Sequence, residues 1–298
     1  MKPRLHILGC GRAARTLARL WVDRDLLDIG RVQNQSLSSA QSAVNFIRQG
    51  QAVVQLSDGS PGDWLMLGLP DGELPAQADA LRQSGLQPFQ LVFHLSGSES
   101  SAVLSGVAKS VASVHPVCPF SEPVQAMRQL PGTFAVGEGD AAALDAVLPK
   151  FSALEMQVLR LPDHFDADKK RLYHAATITA SNFLNTLDAM ALALTDQADI
   201  PEQQARSLIA SLQRVALAQI EQVGPRAALT GPIERADRTA IARMVGAIQR
   251  HAPGQMPLFT ELAAATVDLA AEKHPERTEQ YNHLRTLLTG NEASDGRI

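Results

Sequence analysis

The chain reads as an α/β protein with a doubly wound, mainly parallel sheet, followed by an all-α second domain. Three observations predict this. An apolar run breaks into Gly-x-Gly-x-x-Ala near the start, strand-like and helix-like segments then alternate through the first half, and from Asp166 onward apolar residues recur only at helical spacing. The length of 298 residues exceeds one ordinary core and fits two domains.

The first element, Leu5 to Leu8, ends in Gly9-Cys10-Gly11-Arg12-Ala13-Ala14. A dinucleotide needs such a break, because its pyrophosphate must lie on bare backbone N–H groups at a helix N-terminus, where the dipole favours an anion. Gly9 allows the tight turn, Gly11 removes the side chain that would hold the phosphates away, and Ala14 is small enough for close helix–strand packing. Arg12 to Val22 continues as a helix with Leu17, Leu20 and Trp21 on one side.

Strands are then expected at Ile29 to Gln33, Val53 to Leu56, Trp64 to Leu69, Gln90 to Leu95, Val111 to Val114, Thr133 to Val136 and Met156 to Leu159. Helices fall between them at Ser38 to Gln49, Leu74 to Ser84 and Ala141 to Phe151. The period changes near Leu161-Pro162-Asp163-His164, which gives expected domains of 1–162 and 163–290 with a loose tail at 291–298. The second domain opens with a long helix whose Leu172, Ala176, Thr179, Phe183, Leu187, Met190 and Leu194 form an apolar stripe expected to be buried. Further helices are expected at 201–223, 234–251, 258–272 and 275–288.

Ligands of open parallel sheets sit at the carboxyl ends of the strands. The cofactor candidates are therefore Gly9, Gly11, Arg12, Ala13 and Ala14 after the first strand, with Asn34 and Ser36 after the second. Leu69 and Pro70 after the fourth and Ser96 and Gly97 after the fifth complete the set. Asp71 suits a cap or a ligand contact, and His94 reads as a core histidine. An acid after the second strand would hold a ribose 2′-hydroxyl and repel a 2′-phosphate, yet Gln33-Asn34-Gln35-Ser36 stands there. With the Ser36, Ser38 and Ser39 hydroxyls nearby and Arg12 within reach, NADP is favoured over NAD.

On the long helix Lys170, His174, Thr177 and Ser181 align as a polar stripe beside Asn182. Carbonyl or imine reduction requires a proton donor and a group that holds the substrate, so Lys170, His174 and Asn182 are the catalytic candidates, with Ser181 on the substrate side. A solvated face explains the Lys169-Lys170-Arg171 run equally well. His115 opens a proline-rich segment, His115-Pro116-Val117-Cys118-Pro119, expected to be a rigid loop that contributes to a substrate pocket or only turns the chain. Arg235, in a Gly-Pro loop, suits a carboxylate grip, a pair with Asp237 or a pair with an acid of another domain.

The net charge of −4 and the absence of a Lys/Arg block argue against nucleic acid and anionic membrane surfaces. Cys10 and Cys118 have no metal-ligand spacing, so no metal is expected. The apolar stretch within Met1 to Gly9 is too short for a signal h-region and no later segment approaches a membrane span, so a cytoplasmic location is expected.

Gly9-x-Gly11-x-x-Ala14, Pro70-Asp71, His94-x-Ser96-Gly97, His115-Pro116, Lys170-x-x-Tyr173-His174-Ala175-Ala176, Ser181-Asn182 and Gly231-Pro232-x-x-Arg235 together resemble a bacterial family of NADP oxidoreductase-like proteins. That family joins a Rossmann-like domain to a helical domain similar to the C-terminal domain of 6-phosphogluconate dehydrogenase. Relatives of this architecture include ketopantoate reductase, pyrroline-5-carboxylate reductase and the β-hydroxyacid dehydrogenases. The resemblance implies a homodimer through the helical domain and catalysis by a Lys on its first long helix. Here His174 stands four residues after Lys170, where the β-hydroxyacid pattern has Asn, Gln35 stands where many members have Arg, and Ala236 replaces a Gly. The implied activity is NADP-dependent reduction of a small carboxylate-bearing keto or imino compound. The alternative is a nicotinamide-nucleotide-binding regulatory or scaffold protein without turnover.

Overall fold

The computed structural model describes residues 2–57, 59–60, 62–84, 89–162 and 165–289. The chain divides into two compact units, Met1–Ala180 and Ser181–Ile298. The division falls inside the long helix, eighteen residues beyond the end of the expected first domain, because the first turns of that helix pack on the sheet. The expected tail 291–298 and the Asp163-His164 part of the expected boundary lie outside the described residues.

In the first unit β1 (Arg4–Leu8), α1 (Arg12–Asp23), β2 (Asp28–Gln33), α2 (Leu37–Ile47) and β3 (Gln51–Val53) make one half of the sheet. The other half comprises β4 (Trp64–Leu67), α3 (Leu74–Gln83), β5 (Leu91–His94), β6 (Ser110–Val117), α4 (Pro123–Gln129), β7 (Phe134–Gly139), α5 (Ala141–Ser152) and β8 (Gln157–Arg160). Among the described residues the strand order is β3-β2-β1-β4-β5-β6-β7-β8. All pairs are parallel except β6 with β7, as the mainly parallel expectation required. The order reverses between β1 and β4, so the crevice at their carboxyl ends is where such a sheet holds a ligand.

Apolar burial fixes this half. Leu5, Ile7, Leu17, Ala18 and Trp21 are fully buried, and Trp21 meets Phe151 edge-on at 5.3 Å while its indole N–H donates to the Lys150 carbonyl at 3.1 Å. β3 begins two residues before the expected strand and ends three residues before its expected end, with the Leu56 N–H taken by the Gln33 side-chain carbonyl beyond the last ladder pair, Gln33–Val53.

His115-Pro116-Val117 is not a loop but the last part of β6, paired antiparallel with Val136, Ala135 and Phe134. Pairing with β5 stops at Ser113, so Pro116 lies where one side of the strand is already an edge and its missing N–H is tolerated. In addition, α6 (Ala167–Asp196) is not buried through its apolar stripe: Leu172 is 71% exposed, Phe183 54% and Leu187 37%. The face that packs on the sheet carries Lys170, which is fully buried.

The second unit continues from α6 through α7 (Glu202–Ala228), α8 (Arg238–His251), α9 (Met256–Lys273) and α10 (Thr278–Thr289). Helix α7 runs past the expected end with a break at Gly224, whose φ of +78 no other residue type adopts readily. Helix α8 starts four residues later than expected, capped by the Asp237 carboxylate on the Ala240 N–H, so Arg235 stays in the preceding turn. Ile241, Val267, Ala270, Tyr281 and Leu284 form the core of this unit, and the Tyr281 hydroxyl donates to the Glu234 carbonyl at 2.6 Å.

Candidate functional site

The glycine turn and the end of β4 meet as two bare backbones. Gly9 has φ +79, and a Cβ on Gly68 would lie 2.3 Å from the Gly9 carbonyl oxygen and 2.6 Å from the Ala14 Cβ. Ala14 thus plays the close-packing role expected of it. Gly11 differs: a Cβ there meets only the Gly68 carbonyl oxygen, at 3.8 Å, so a side chain would project into open space above the turn. No side chain caps the N-terminus of α1 and no acid sits in its first turn. A cradle that a Cβ would fill and a helix end with free N–H groups are what a pyrophosphate requires, and the residues present fit a dinucleotide.

Two clefts share this seam. One, of ≈ 320 Å³, extends from the turn toward the end of β2, where Asn34, Gln35, Ser39 and Arg15 line it. Asn34 fixes the turn, because its side-chain carbonyl accepts the Cys10 N–H at 2.5 Å. Ser36 is occupied as the N-cap of α2, accepting from the Ser39 N–H. The other cleft, of ≈ 710 Å³, extends toward β5 and β6; Arg12, Ala13, Asp71, Ser96, Gly97, His115 and His174 line it. Leu69 and Pro70 border both. Arg12 therefore faces away from the β2 end, and its guanidinium donates to the Ser121 carbonyl at 3.2 Å.

On the β5–β6 side the loop after His94 is tied from several directions. The Ser96 hydroxyl accepts the N–H groups of Ser98 and Glu99, and the Ser98 hydroxyl donates to Asp71. His94 is fully buried and accepts the Ser96 N–H at Nδ1, while its Nε2 has no hydrogen-bond partner among the described residues. Burial, with Lys170 nearby, pushes its pKa down to about 4.

Gly97 lies directly against two imidazoles. A Cβ on it would sit 2.3 Å from His174 Nδ1 and 2.9 Å from His115 Cε1. The two rings are edge-on with centroids 5.5 Å apart, and His115 Nδ1 shares a 2.8 Å hydrogen bond with the Tyr173 hydroxyl. Desolvation lowers the His115 pKa to about 4 and raises that of Tyr173 to about 12, so at neutral pH this pair is a neutral imidazole facing a protonated phenol.

Lys170 is placed differently from its stripe-mate His174. Its Nζ donates to the Ser113 hydroxyl at 2.9 Å and lies 3.6 Å from Glu138, with no exposed surface. Burial lowers its pKa against the opposing pull of Glu138. Glu138 in turn accepts from the Ser101 N–H and hydroxyl, and the Ser113 hydroxyl donates to the Ser96 carbonyl. This buried chain of polar groups pins both ends of the Ser96–Ser101 loop that borders the cleft. Ser181, Asn182 and Arg235 belong to the second unit and are exposed there.

Sequence reasoning assigned no role to Gly68, Ser113, Glu138, Tyr173 or Arg15. Gly68 carried a signal, a glycine inside the expected strand Trp64 to Leu69, which in the structure ends one residue before it at Leu67. Arg15 carried another, a cation one helical turn past Gly11.

Residues 133–266 match the family model DUF2520, a domain of unknown function. None of the curated proteins compared matches the chain in sequence. Among solved structures, the chain is similar to a candidate NADP oxidoreductase from Bacteroides fragilis, with TM-score 0.67, 21% identity and coverage of 89% of this chain and 97% of that one. It is similar to an imine reductase from Myxococcus stipitatus solved with NADP+, with TM-score 0.58, 14% identity and coverage of 97% and 93%. A 1-pyrroline-5-carboxylate reductase from Streptococcus pyogenes gives TM-score 0.57, 11% identity and coverage of 91% and 97%. The property shared at these identities is the fold, a Rossmann-like domain followed by helices.

Proposed function

We propose that this chain is an NADP-dependent oxidoreductase that reduces a small carboxylate-bearing keto or imino compound. The observation that carries the reading is the seam between Gly9–Ala14 and Gly68 at the switch point of the sheet, with an uncapped helix end on it and a histidine pair along the same cleft. The bound cofactor supplies a hydride. The free N–H groups at the start of α1 hold its phosphates, and the absence of an acid in 33–36 leaves room for a 2′-phosphate. His174, which lines the cleft, holds or delivers the proton for the reduced carbonyl or imine. His115 stays neutral beside it and is oriented by Tyr173. Lys170 acts as a positioning residue, because its ammonium is enclosed by Ser113 and Glu138 rather than facing the cleft.

The second unit leaves an apolar face uncovered: Phe183, Leu208, Leu212, Val215 and Val223 are each about half or more exposed. A second copy of the chain is the occupant we assign to it, which makes the protein a homodimer through its helices. Light scattering on a purified sample should give twice the chain mass, and Leu212→Glu should reduce it to one.

The functional reading is tested by titrating NADPH fluorescence with the protein and then following NADPH oxidation over a panel of 2-keto acids and cyclic imines. Enhanced fluorescence, and turnover that His174→Ala removes while binding persists, is the expected result. No fluorescence change at millimolar cofactor would overturn it.

A further inference from the structure

We infer that Arg15 is the residue that distinguishes NADP from NAD in this chain, by pairing with the 2′-phosphate at the end of β2. The inference rests on the dinucleotide reading above and deepens it. Arg15 lines the smaller cleft together with Gly9, Gly11, Asn34, Gln35 and Ser39. It is the one cation among the described residues that do so, whereas Arg12 lines the other cleft and is engaged by Ser121. Glu73, exposed, is the one carboxylate bordering the same cleft; it sits past β4 rather than β2.

The guanidinium of Arg15 is under-bonded where it lies. Its one side-chain hydrogen bond among the described residues runs from Nη2 to the Cys10 carbonyl at a long 3.3 Å, and its Nε is buried with no partner. A planar fork with unused donors gains most from an anion that accepts from two of them at once, and a phosphate monoester does this. The side chain issues from the second turn of α1 and, like other helical side chains, leans back toward the helix N-terminus, the direction of the glycine turn. At the β2 end no acid competes for it: Gln33, Asn34, Gln35 and Ser36 are neutral, and the Ser39 hydroxyl lines the same cleft. The second strand ends without an arginine of its own, and Arg15 fills that role from the neighbouring helix.

The test is a pair of binding titrations, NADPH and NADH, on the full chain and on Arg15→Gln and Arg15→Lys. Arg15→Gln should weaken NADPH about 10- to 100-fold, the loss of charge-assisted hydrogen bonds to a phosphate, while NADH binding stays within about twofold. Arg15→Lys, which keeps the charge, should fall between. Retained NADH binding shows that the variant is folded. Equal weakening of both cofactors by Arg15→Gln assigns Arg15 to holding the glycine turn through Cys10 and overturns the inference, as does unchanged NADPH affinity. If the unaltered protein binds neither cofactor, the dinucleotide reading fails and the inference fails with it; the two failures are therefore distinguishable.

Discussion

Gly11 and Gly68 face each other across one seam, yet they should respond in opposite ways to the addition of a single methyl group. At Gly11 the backbone has φ −71 and ψ −168, which alanine adopts, and the new Cβ meets nothing closer than 3.8 Å. Removing a glycine stabilises by about 0.4–1 kcal/mol through the unfolded chain, and losing glycine at an N-cap costs a similar amount, so the net change should stay within about 1 kcal/mol. The methyl nevertheless occupies the space that a pyrophosphate must enter. NADPH affinity should fall about tenfold or more, because charged hydrogen bonds to the α1 N–H groups lengthen or break. At Gly68 the Cβ would meet a backbone oxygen at 2.3 Å and the Ala14 Cβ at 2.6 Å, neither of which can swing aside. Overpacking of that kind costs about 1–3 kcal/mol, a fall in Tm of several degrees for a unit of this size. Thermal melts and NADPH titrations on Gly11→Ala and Gly68→Ala give the four values needed. A Gly11→Ala protein that melts normally and binds NADPH as tightly as the original would refute the placement of the phosphates.

The remaining expectations concern the other side of the cleft. Gly97→Ala should drive the His174 ring back by about an ångström, reducing turnover on the order of 100-fold and shifting the NMR signals of both imidazoles; unshifted His115 and His174 signals would contradict the packing. Lys170→Met leaves Glu138 buried without its cation and should destabilise by about 3–5 kcal/mol, with Lys170→Met/Glu138→Gln recovering much of that in urea titrations. A double variant no more stable than the single one would deny the pairing. Burial holds His94 and His115 at about 4 against an ordinary 6.5. Between those values the unfolded chain binds protons that the folded chain refuses, so stability is full above about pH 6.5 and falls as pH drops toward 4. The His94 share approaches about 3 kcal/mol, and that of His115, which borders the cleft, is smaller. Urea midpoints that stay flat between neutral pH and about 4.5 would contradict it.

Most of the sheet was legible because the buried strands are short apolar runs stopped by glycine, proline or serine, and strand ends locate the cleft once the sheet is parallel. Gly9 and Ala14 were legible for a second reason: Gly9 needs its φ of +79, and Gly68 comes so close to Ala14 that only a small residue fits there. The long helix was not. Its period defines an apolar face and a polar face, but which of them meets the sheet depends on a partner for Lys170, and Glu138 and Ser113 lie 32 and 57 residues away in the chain. The proline at 116 suggested a loop because a propensity does not record that β5 has already ended beside it. Arg15 and Tyr173 were missed because a single cation or phenol on a helix has no periodic signature; only the cleft, in three dimensions, gives either one a neighbour.

A dinucleotide is proposed to lie across the seam between Gly9–Ala14 and Gly68. A crystal structure of the protein soaked with NADP+ tests it most directly. The pyrophosphate is expected on the N–H groups at the start of α1, the adenosine ribose toward Asn34 and Ser39, and the nicotinamide beside Gly97 and His174. A cofactor bound with its phosphates away from Gly11, or crystals that take up none at millimolar concentration, would contradict it.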